Sequence, residues 1–315
     1  MKIAVIDCGT NTFHLLIVET KAPGKFKTLL RENIPVKLGE EGITSKIISP
    51  GPFLRGINTL KNFNSLILKN NPDQVHAYAT AAIRNAVNGN DFLDHAKSET
   101  GIEIQLIDGQ REAELIYYGV KKAVRLTEDK VLIMDIGGGS VEFIIANNNE
   151  IFWKQSFGIG AALLLEKFKP SDPVKTSEII EIKKYLETEL QPLFLKLQTL
   201  KTKLQTLIGS SGSFETFVDL ISWHFPSPRV TERQTEYEIR WDEYLTVYEQ
   251  LMHSNLEERM NMKGMAAMRV DMIVAAAILV TFILEKTKIT KMKLSTYALK
   301  EGILYEALNK MTMNK

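Results

Sequence analysis

Residues 131–145 read VLIMDIGGGSVEFII, an apolar run that ends in an aspartate, a glycine-rich turn and a second apolar run. A closely similar stretch, IAVIDCGTNTFHLLI, occupies residues 3–17. The two stretches align with one constant offset of 128 residues (135 − 7), which pairs Asp7 with Asp135, Gly9 with Gly137 and Thr12 with Ser140. A strand–turn–strand unit that occurs twice predicts two domains of similar architecture.

The composition is that of an ordinary folded protein without a strong charge bias. A chain of 315 residues is long enough for about two domains. The net charge is only +1, so an anionic ligand has to be held by local geometry rather than by a global positive field. The single cysteine, Cys8, excludes an intramolecular disulfide and a cysteine-rich metal site, and it favours a reducing compartment. No secretory signal is visible at the N-terminus, and we therefore expect a cytoplasmic protein.

Apolar runs of strand length alternate with longer helical patterns, which predicts an α/β architecture. The predicted strands are 2–7, 12–20, 25–33, 75–80, 102–107, 130–135, 141–147, 150–157 and 205–209. The predicted helices lie near 50–70, 89–100, 110–124, 160–168, 175–202, 213–223, 241–253, 264–285 and 299–311. The uncharged run 272–284 is too short for a membrane span of about 20 residues, so it predicts a buried helix. The polar segment 125–130 separates domain I, residues 1–125, from domain II, residues 126–298, and FPSPR at 225–229 predicts a loop.

The two glycine turns have the features of phosphate-binding turns. Glycine allows positive φ and has no Cβ, so backbone N–H groups can point into one small concavity. The hydroxyls of Thr10, Thr12 and Ser140 add possible donors to a phosphate. An aspartate at the end of the preceding strand, Asp7 or Asp135, is placed to bind Mg²⁺ directly or through water. Two ordinary β-hairpins with glycine turns are the alternative interpretation.

A third glycine-rich stretch and three charged residues complete the candidate site. TLIGSSGSFETF at 206–217 reads as a strand, a turn and a helix whose N-terminus could bind an anion. Glu142 could face the same ligand or be an exposed strand residue. Glu112 could be functional or could simply complement the helix dipole. Arg84 could reach an anion or be a solvated surface side chain, and His14 is interpreted as a structural hydrogen-bonding residue.

The ordered set of motifs resembles the exopolyphosphatase/guanosine pentaphosphate phosphohydrolase (Ppx/GppA) family, within the actin-like ATPase (ribonuclease H-like) superfamily. The residues that carry this resemblance are VIDCGTNTFHLLI (5–17), ATAAIRNA (79–86), IDGQREAELIYYGV (107–120), MDIGGGSVEFII (134–145), IGSSGS (208–213), RVDMIVAAAIL (269–279) and LSTYALKEGILYEAL (294–308). The resemblance implies a two-domain actin-like fold with the active site in the interdomain cleft. It also implies that a C-terminal helix at about 299–315 returns to domain I.

The resemblance further implies a function and a set of roles. The expected reaction is Mg²⁺-dependent hydrolysis of the terminal phosphate of polyphosphate, in which Glu112 activates water. Asp135 and Glu142 are implied to organise the metal and the water, and Arg84 to contact phosphate. The expected substrate-binding residues are Asn11, Thr12, Arg84, Gly137, Gly138, Gly139, Ser140, Ser211, Gly212 and Ser213.

Departures from the family pattern leave several questions open. Arg111 stands where the family often has a glutamate, Val141 replaces the usual threonine after GGGS, and Lys300 replaces an arginine. The chain also ends where longer relatives continue into a further helical domain. Guanosine pentaphosphate is the alternative substrate, and an actin-like nucleotide-binding protein without hydrolase activity is the alternative of another class. A sugar kinase fits less well because of the match around Glu112, and a homodimer is plausible from the family.

Overall fold

The chain forms two compact units. The computed structural model describes residues 1–22, 25–200, 203–226, 231 and 234–313. The first unit comprises Met1–Gly119, Gly137–Gly139 and Ala298–Lys315, and the second comprises Val120–Ile136 and Ser140–Tyr297. The three glycines of the second turn therefore belong to the first unit by their contacts, although the strands on either side of them belong to the second.

Strands and helices alternate along most of the chain. The strands are β1 Lys2–Cys8, β2 Thr12–Ala22, β3 Lys25–Pro35, β4 Gln74–Ala79, β5 Ile104–Leu106, β6 Val131–Ile136, β7 Val141–Ala146, β8 Ile151–Phe157, β9 Thr206–Ser210, β10 Glu236–Ile239 and β11 Lys291–Ser295. The helices are α1 Pro50–Asn70, α2 Ala81–Asn85, α3 Gly89–Thr100, α4 Gly109–Ala123, α5 Ala161–Phe168, α6 Thr176–Glu189, α7 Gln191–Gln198, α8 Gly212–His224, α9 Trp241–His253, α10 Leu256–Met260, α11 Ile273–Thr287 and α12 Leu299–Met313. A 3₁₀ turn at Ala267–Arg269 precedes α11.

The two sheets share one topology. In the first unit the order is β3-β2-β1-β4-β5, with β1, β2 and β3 antiparallel and β1, β4 and β5 parallel. In the second unit β8-β7-β6-β9-β11 repeats this order and these directions, and β10 adds an antiparallel edge strand. The predicted α/β class and the actin-like fold are therefore confirmed.

Each unit encloses its own apolar core. In the first unit, Phe63 and Phe92 on the helices pack against β1 and β2. In the second, the residues of α11 from Ile273 to Leu284 are all buried, which confirms the predicted buried helix. Among the residues that the structure describes, no helix has the length and apolar character that crossing a bilayer requires.

Several predicted elements differ from those observed. The helix predicted at 175–202 is two helices, because Pro192 lies in the first turn of α7 and proline disfavours continuation of the preceding helix. The helix predicted at 264–285 begins only at Ile273. The strands β10 and β11 and the short helices α2 and α10, each of four or five residues, were not predicted. Residues 201–202, 227–229 and 314–315, parts of the predicted helix, loop and C-terminal helix, lie outside the described residues.

Candidate functional site

The first glycine turn is tightly packed within the first unit. Thr10, Asn11 and Thr12 are buried, and the Asn11 carbonyl accepts hydrogen bonds from the backbone N–H groups of residues 36 and 37. A Cβ added to Gly139 would lie 2.8 Å from Thr10 Oγ1, and one added to Gly138 would lie 3.1 Å from Thr10 Cβ. These glycines are therefore needed for close packing against Thr10, in addition to their predicted role toward phosphate.

An ion pair in the first unit joins two of the predicted site residues. Arg84 lies on α2, the short helix that follows β4, and Glu112 lies in the first turn of α4. Arg84 Nη1 donates to Glu112 Oε2 at 2.9 Å and to the Ile107 carbonyl at 2.8 Å. Both side chains are largely buried, with 19% and 8% of their side-chain surfaces exposed. The structure therefore excludes a solvated Arg84, and it gives Glu112 a specific buried partner in addition to its place in the first turn of α4.

In the second unit, four polar residues form a line across adjacent strands, which we call the carboxylate row. Ser210 on β9 stands opposite Asp135 on β6, Asp135 opposite Glu142 on β7, and Glu142 opposite Ser156 on β8. Residues directly opposite each other on neighbouring strands project from the same face of a sheet. The four side chains therefore share one face, with the two carboxylates in the centre. Glu142 is 1% exposed, which excludes the alternative of an exposed strand glutamate.

Serine hydroxyls hold both carboxylates of this row. Ser210 Oγ donates to Asp135 Oδ2 at 2.5 Å, and Ser211 Oγ donates to Asp135 Oδ1 at 2.7 Å. Ser156 Oγ donates to Glu142 Oε1 at 2.6 Å. Such short distances are typical of hydroxyls that donate to carboxylates, and the hydrogen bonds fix the orientation of both groups.

The turn after β9 carries backbone strain. Ser211 adopts φ 73° and ψ 170°, a region that is nearly restricted to glycine and costs about 1–3 kcal/mol for other residues. A Cβ on the next residue, Gly212, would lie 2.4 Å from Arg269 Nη2. The strained backbone directs the Ser211 hydroxyl to Asp135, and the absent side chain of Gly212 leaves room for a buried arginine.

Arg269 adds a positive charge to this part of the second unit. The residue is buried, and burial lowers the pKa of its guanidinium, while the charges of Glu215 and Asp135 oppose that effect. Arg269 begins the RVDMIVAAAIL motif of the family resemblance, but no sequence pattern singled out its guanidinium. Ser156 and Ser210 were also missed, because strand pairing and register decide which hydroxyl faces a carboxylate.

The remaining predicted residues vary in their accessibility. Ser140, which directly precedes β7, is buried, and Gly137 is half-buried. Ser213 is fully buried in the first turn of α8, and its Oγ has no hydrogen-bond partner among the described residues. Roles of these residues toward a substrate stay predictions.

Two of the departures from the family pattern have partners within the first unit. Arg111 pairs with Glu114 at 3.0 Å and with Glu306 on α12. Burial alone would lower the pKa of Arg111, but its hydrogen bonds with these two carboxylates raise it. Lys300 lies 3.4 Å from the buried carboxylate of Glu301. The charge of Arg111 is therefore compensated locally.

The two central carboxylates of the row fit the donor set that Mg²⁺ uses. Mg²⁺ binds oxygen ligands, usually through one or two carboxylates, and keeps several waters or substrate phosphates. Asp135 and Glu142 supply two carboxylates on one sheet face. In the described part of the chain, no group of three or more His, Cys, Asp or Glu side chains is placed to hold a metal. The candidate site is therefore the pair of Asp135 and Glu142.

Comparisons with known proteins agree with these features. The Ppx/GppA phosphatase family matches residues 17–311. The chain is 26% identical to Exopolyphosphatase 1 of Mycobacterium tuberculosis, covering 98% of this chain and 89% of that protein. It is also 26% identical to a putative exopolyphosphatase of Haemophilus influenzae, covering 96% and 90%.

Solved structures show the same likeness over the whole length. A crystal structure of an exopolyphosphatase from Cytophaga hutchinsonii superposes with a TM-score of 0.94 at 39% identity, covering 98% of each chain. The Ppx/GppA enzyme of Aquifex aeolicus superposes with a TM-score of 0.78 at 25% identity, covering 97% of this chain and 99% of that one. With its motifs, its repeated topology and these matches, the chain belongs to the Ppx/GppA phosphatase family.

Proposed function

We propose that this protein is an exopolyphosphatase, which hydrolyses the terminal phosphate of inorganic polyphosphate. Membership of a phosphatase family and the similarity to proteins named exopolyphosphatases support this proposal. The single structural observation that carries it is the buried pair of Arg84 and Glu112. A carboxylate beside an arginine can orient or deprotonate a water while the arginine compensates charge on the phosphate.

The guanidinium of Arg84 can serve two partners at once. Nη1 is shared between Glu112 and the Ile107 carbonyl, and Nε and Nη2 make no hydrogen bond to another described residue. The planar fork of arginine suits bidentate contact with phosphate oxygens. We infer that Arg84 contacts the terminal phosphate through its remaining donors while Nη1 orients Glu112. This arrangement would hold the base near the atom that water attacks.

The other predicted residues complete the proposed mechanism. Glu112 accepts the proton of the attacking water, and Asp135 and Glu142 would hold Mg²⁺. The ion would supply neutralisation of charge on the phosphate oxygens. Backbone N–H groups of the glycine turns and the hydroxyls of Thr12 and Ser140 would bind further phosphates. That the residues of both units serve one reaction is a prediction from the family resemblance.

The proposal is tested by measuring phosphate release from polyphosphate of several lengths, with and without Mg²⁺. We expect release only with the metal, and we expect Glu112→Gln to lower kcat by about 10²- to 10⁴-fold, because amide nitrogen cannot accept the proton. Glu114→Gln is the matched control, since Glu114 lies on the same helix and pairs with Arg111. Equal activity of wild type and Glu112→Gln would refute the role of Glu112.

Guanosine pentaphosphate and ATP are included in the same assay. Faster hydrolysis of guanosine pentaphosphate than of polyphosphate would make guanosine pentaphosphate the preferred substrate. Binding of a nucleotide without hydrolysis of any of the three compounds would support the nucleotide-binding alternative. A cytoplasmic location and a homodimer stay predictions.

A further inference from the structure

We propose that Ser156 is a positioning residue, which fixes the carboxylate of Glu142 so that the carboxylate row can present Asp135 and Glu142 to a divalent cation. This inference rests on the proposed function, because it deepens the role assigned to the row. Ser156 does not belong to any of the glycine-rich motifs, and it lies on β8, one strand away from Glu142 on β7.

The strand register places Ser156 beside Glu142. Glu142 and Ser156 are directly opposite in the antiparallel pair of β7 and β8, so their side chains project from the same face. The distance between Ser156 Oγ and Glu142 Oε1 is 2.6 Å, which is typical of a hydroxyl that donates to a carboxylate. Ser156 is half-buried, whereas Glu142 is almost fully buried.

The row explains why such a hydroxyl is needed. Asp135 and Glu142 are directly opposite on β6 and β7, and like charges in that position repel each other. Each carboxylate accepts a hydrogen bond from the serine on its outer side, Ser210 for Asp135 and Ser156 for Glu142. Each outer bond fixes the orientation of its carboxylate. Two carboxylates oriented on one sheet face are a ligand pair for a hard cation.

Residues that hold metal ligands in place usually affect metal affinity. Removal of such a partner typically lowers affinity or activity by about 10- to 100-fold. A hydroxyl that only satisfied a buried carboxylate would affect stability instead. The two roles therefore predict different measurements.

The test compares three variants with wild type. Ser156→Ala removes the hydroxyl, and Ser156→Thr keeps one at the same position. Gln155→Ala is the matched control, because Gln155 is the preceding residue of β8 and projects from the opposite face. Mn²⁺ binding to each metal-free protein is titrated without substrate, thermal unfolding is recorded, and kcat and KM for polyphosphate are measured with Mg²⁺.

We expect Ser156→Ala to weaken Mn²⁺ binding by about 10- to 100-fold and to lower kcat with little change in KM. Ser156→Thr should recover most of both losses, and Gln155→Ala should behave as wild type. Unchanged Mn²⁺ affinity in Ser156→Ala would overturn the proposal, whatever happens to its unfolding temperature. So would equal losses in Ser156→Ala and Ser156→Thr, or an absence of Mn²⁺ binding to wild type.

The metal titration separates this proposal from the proposed function. If wild type hydrolyses no polyphosphate but binds Mn²⁺ in a manner that depends on Ser156, the proposed substrate is wrong and the positioning role stands. If wild type hydrolyses polyphosphate but its Mn²⁺ affinity is independent of Ser156, the proposed function stands and the positioning role is wrong.

Discussion

The two units have the same strand order but different chemistry at the equivalent position. In the first unit, Asp7 on β1 stands opposite His14 on β2 and beside Tyr78 on β4, and His14 stands opposite Asn33 on β3. His14 Nδ1 and Asn33 Oδ1 are 2.6 Å apart. This line contains one carboxylate and an imidazole that is held by an amide.

In the second unit the corresponding line is the carboxylate row. Asp135 and Glu142 replace Asp7 and His14, and Ser210 and Ser156 take the outer positions. The backbone pattern is therefore repeated, while the second carboxylate and its hydroxyl partners occur only in the second of the two lines. The shared topology sets where the side chains meet, and three differences within it, at the positions of Tyr78, His14 and Asn33, distinguish the candidate cation site from the first line.

The largest effect should distinguish Glu142 from its counterpart His14. We expect Glu142→Gln to lower kcat for polyphosphate by on the order of 10²-fold or more, because an amide cannot replace a charged ligand. His14→Gln should change kcat by no more than about threefold, as for a substitution with a mainly structural effect. Steady-state phosphate release with both variants provides the measurement. Equal losses at the two positions would show that the lines are functionally alike.

A smaller effect concerns Cys8 and its counterpart Ile136, both of which are buried. Burial raises the pKa of the Cys8 thiol well above its ordinary value, and the charge of Asp7 raises it further. In the unfolded chain the thiol ionises at about pH 8.5. The contribution of the neutral, buried thiol to the free energy of unfolding is therefore fully present below that pH and decreases as the pH rises above it. We expect the free energy of unfolding, measured with denaturant, to be lower by about 1.4 kcal/mol at pH 9.5 because of this thiol.

Cys8→Val is the control for this prediction. Valine gives position 8 the apolar character of Ile136 and does not titrate, so its stability should fall less between pH 8 and pH 9.5. An identical pH dependence of wild type and Cys8→Val would mean that Cys8 does not contribute.

The smallest effect compares Ser211, in the strained turn after β9, with Ser156, in the regular strand β8. Ser211→Gly and Ser211→Ala both remove the hydroxyl that bonds Asp135, but only glycine accepts φ 73° and ψ 170° without strain. Glycine relieves the strain, but it also makes the unfolded chain more flexible, which offsets part of that gain. The Ser211→Gly protein should therefore be more stable than the Ser211→Ala protein by about 1 kcal/mol.

The order should be reversed at Ser156, which lies within β8. The Ser156→Gly protein should be less stable than the Ser156→Ala protein by about 0.5–1 kcal/mol, because glycine weakens a regular strand. Thermal unfolding of the four variants checks both comparisons. A Ser211→Ala protein as stable as Ser211→Gly would argue that the turn is not strained.

Much of this organisation could be predicted from sequence because it depends on local patterns. Apolar runs of strand length and the constant offset between Asp7 and Asp135 predicted two similar α/β halves, and the repeated sheet order confirms them. The long apolar run at 272–284 predicted a buried helix for the same reason. Prediction failed for β10 and β11, whose short sequences form strands only in tertiary context, β11 beside β9 and β10 beside β11.

By itself, then, the sequence determined the strand–turn–strand repeat, the positions of the glycines and the residue types available for phosphate chemistry. Only the tertiary structure decided which side chains meet: Ser156 with Glu142, Ser210 and Ser211 with Asp135, and Arg84 with Glu112. It also brought Arg111 to a distant partner, Glu306 on α12. The physical reason is that such contacts depend on strand register and on helix packing between distant segments, and local sequence periodicity specifies neither.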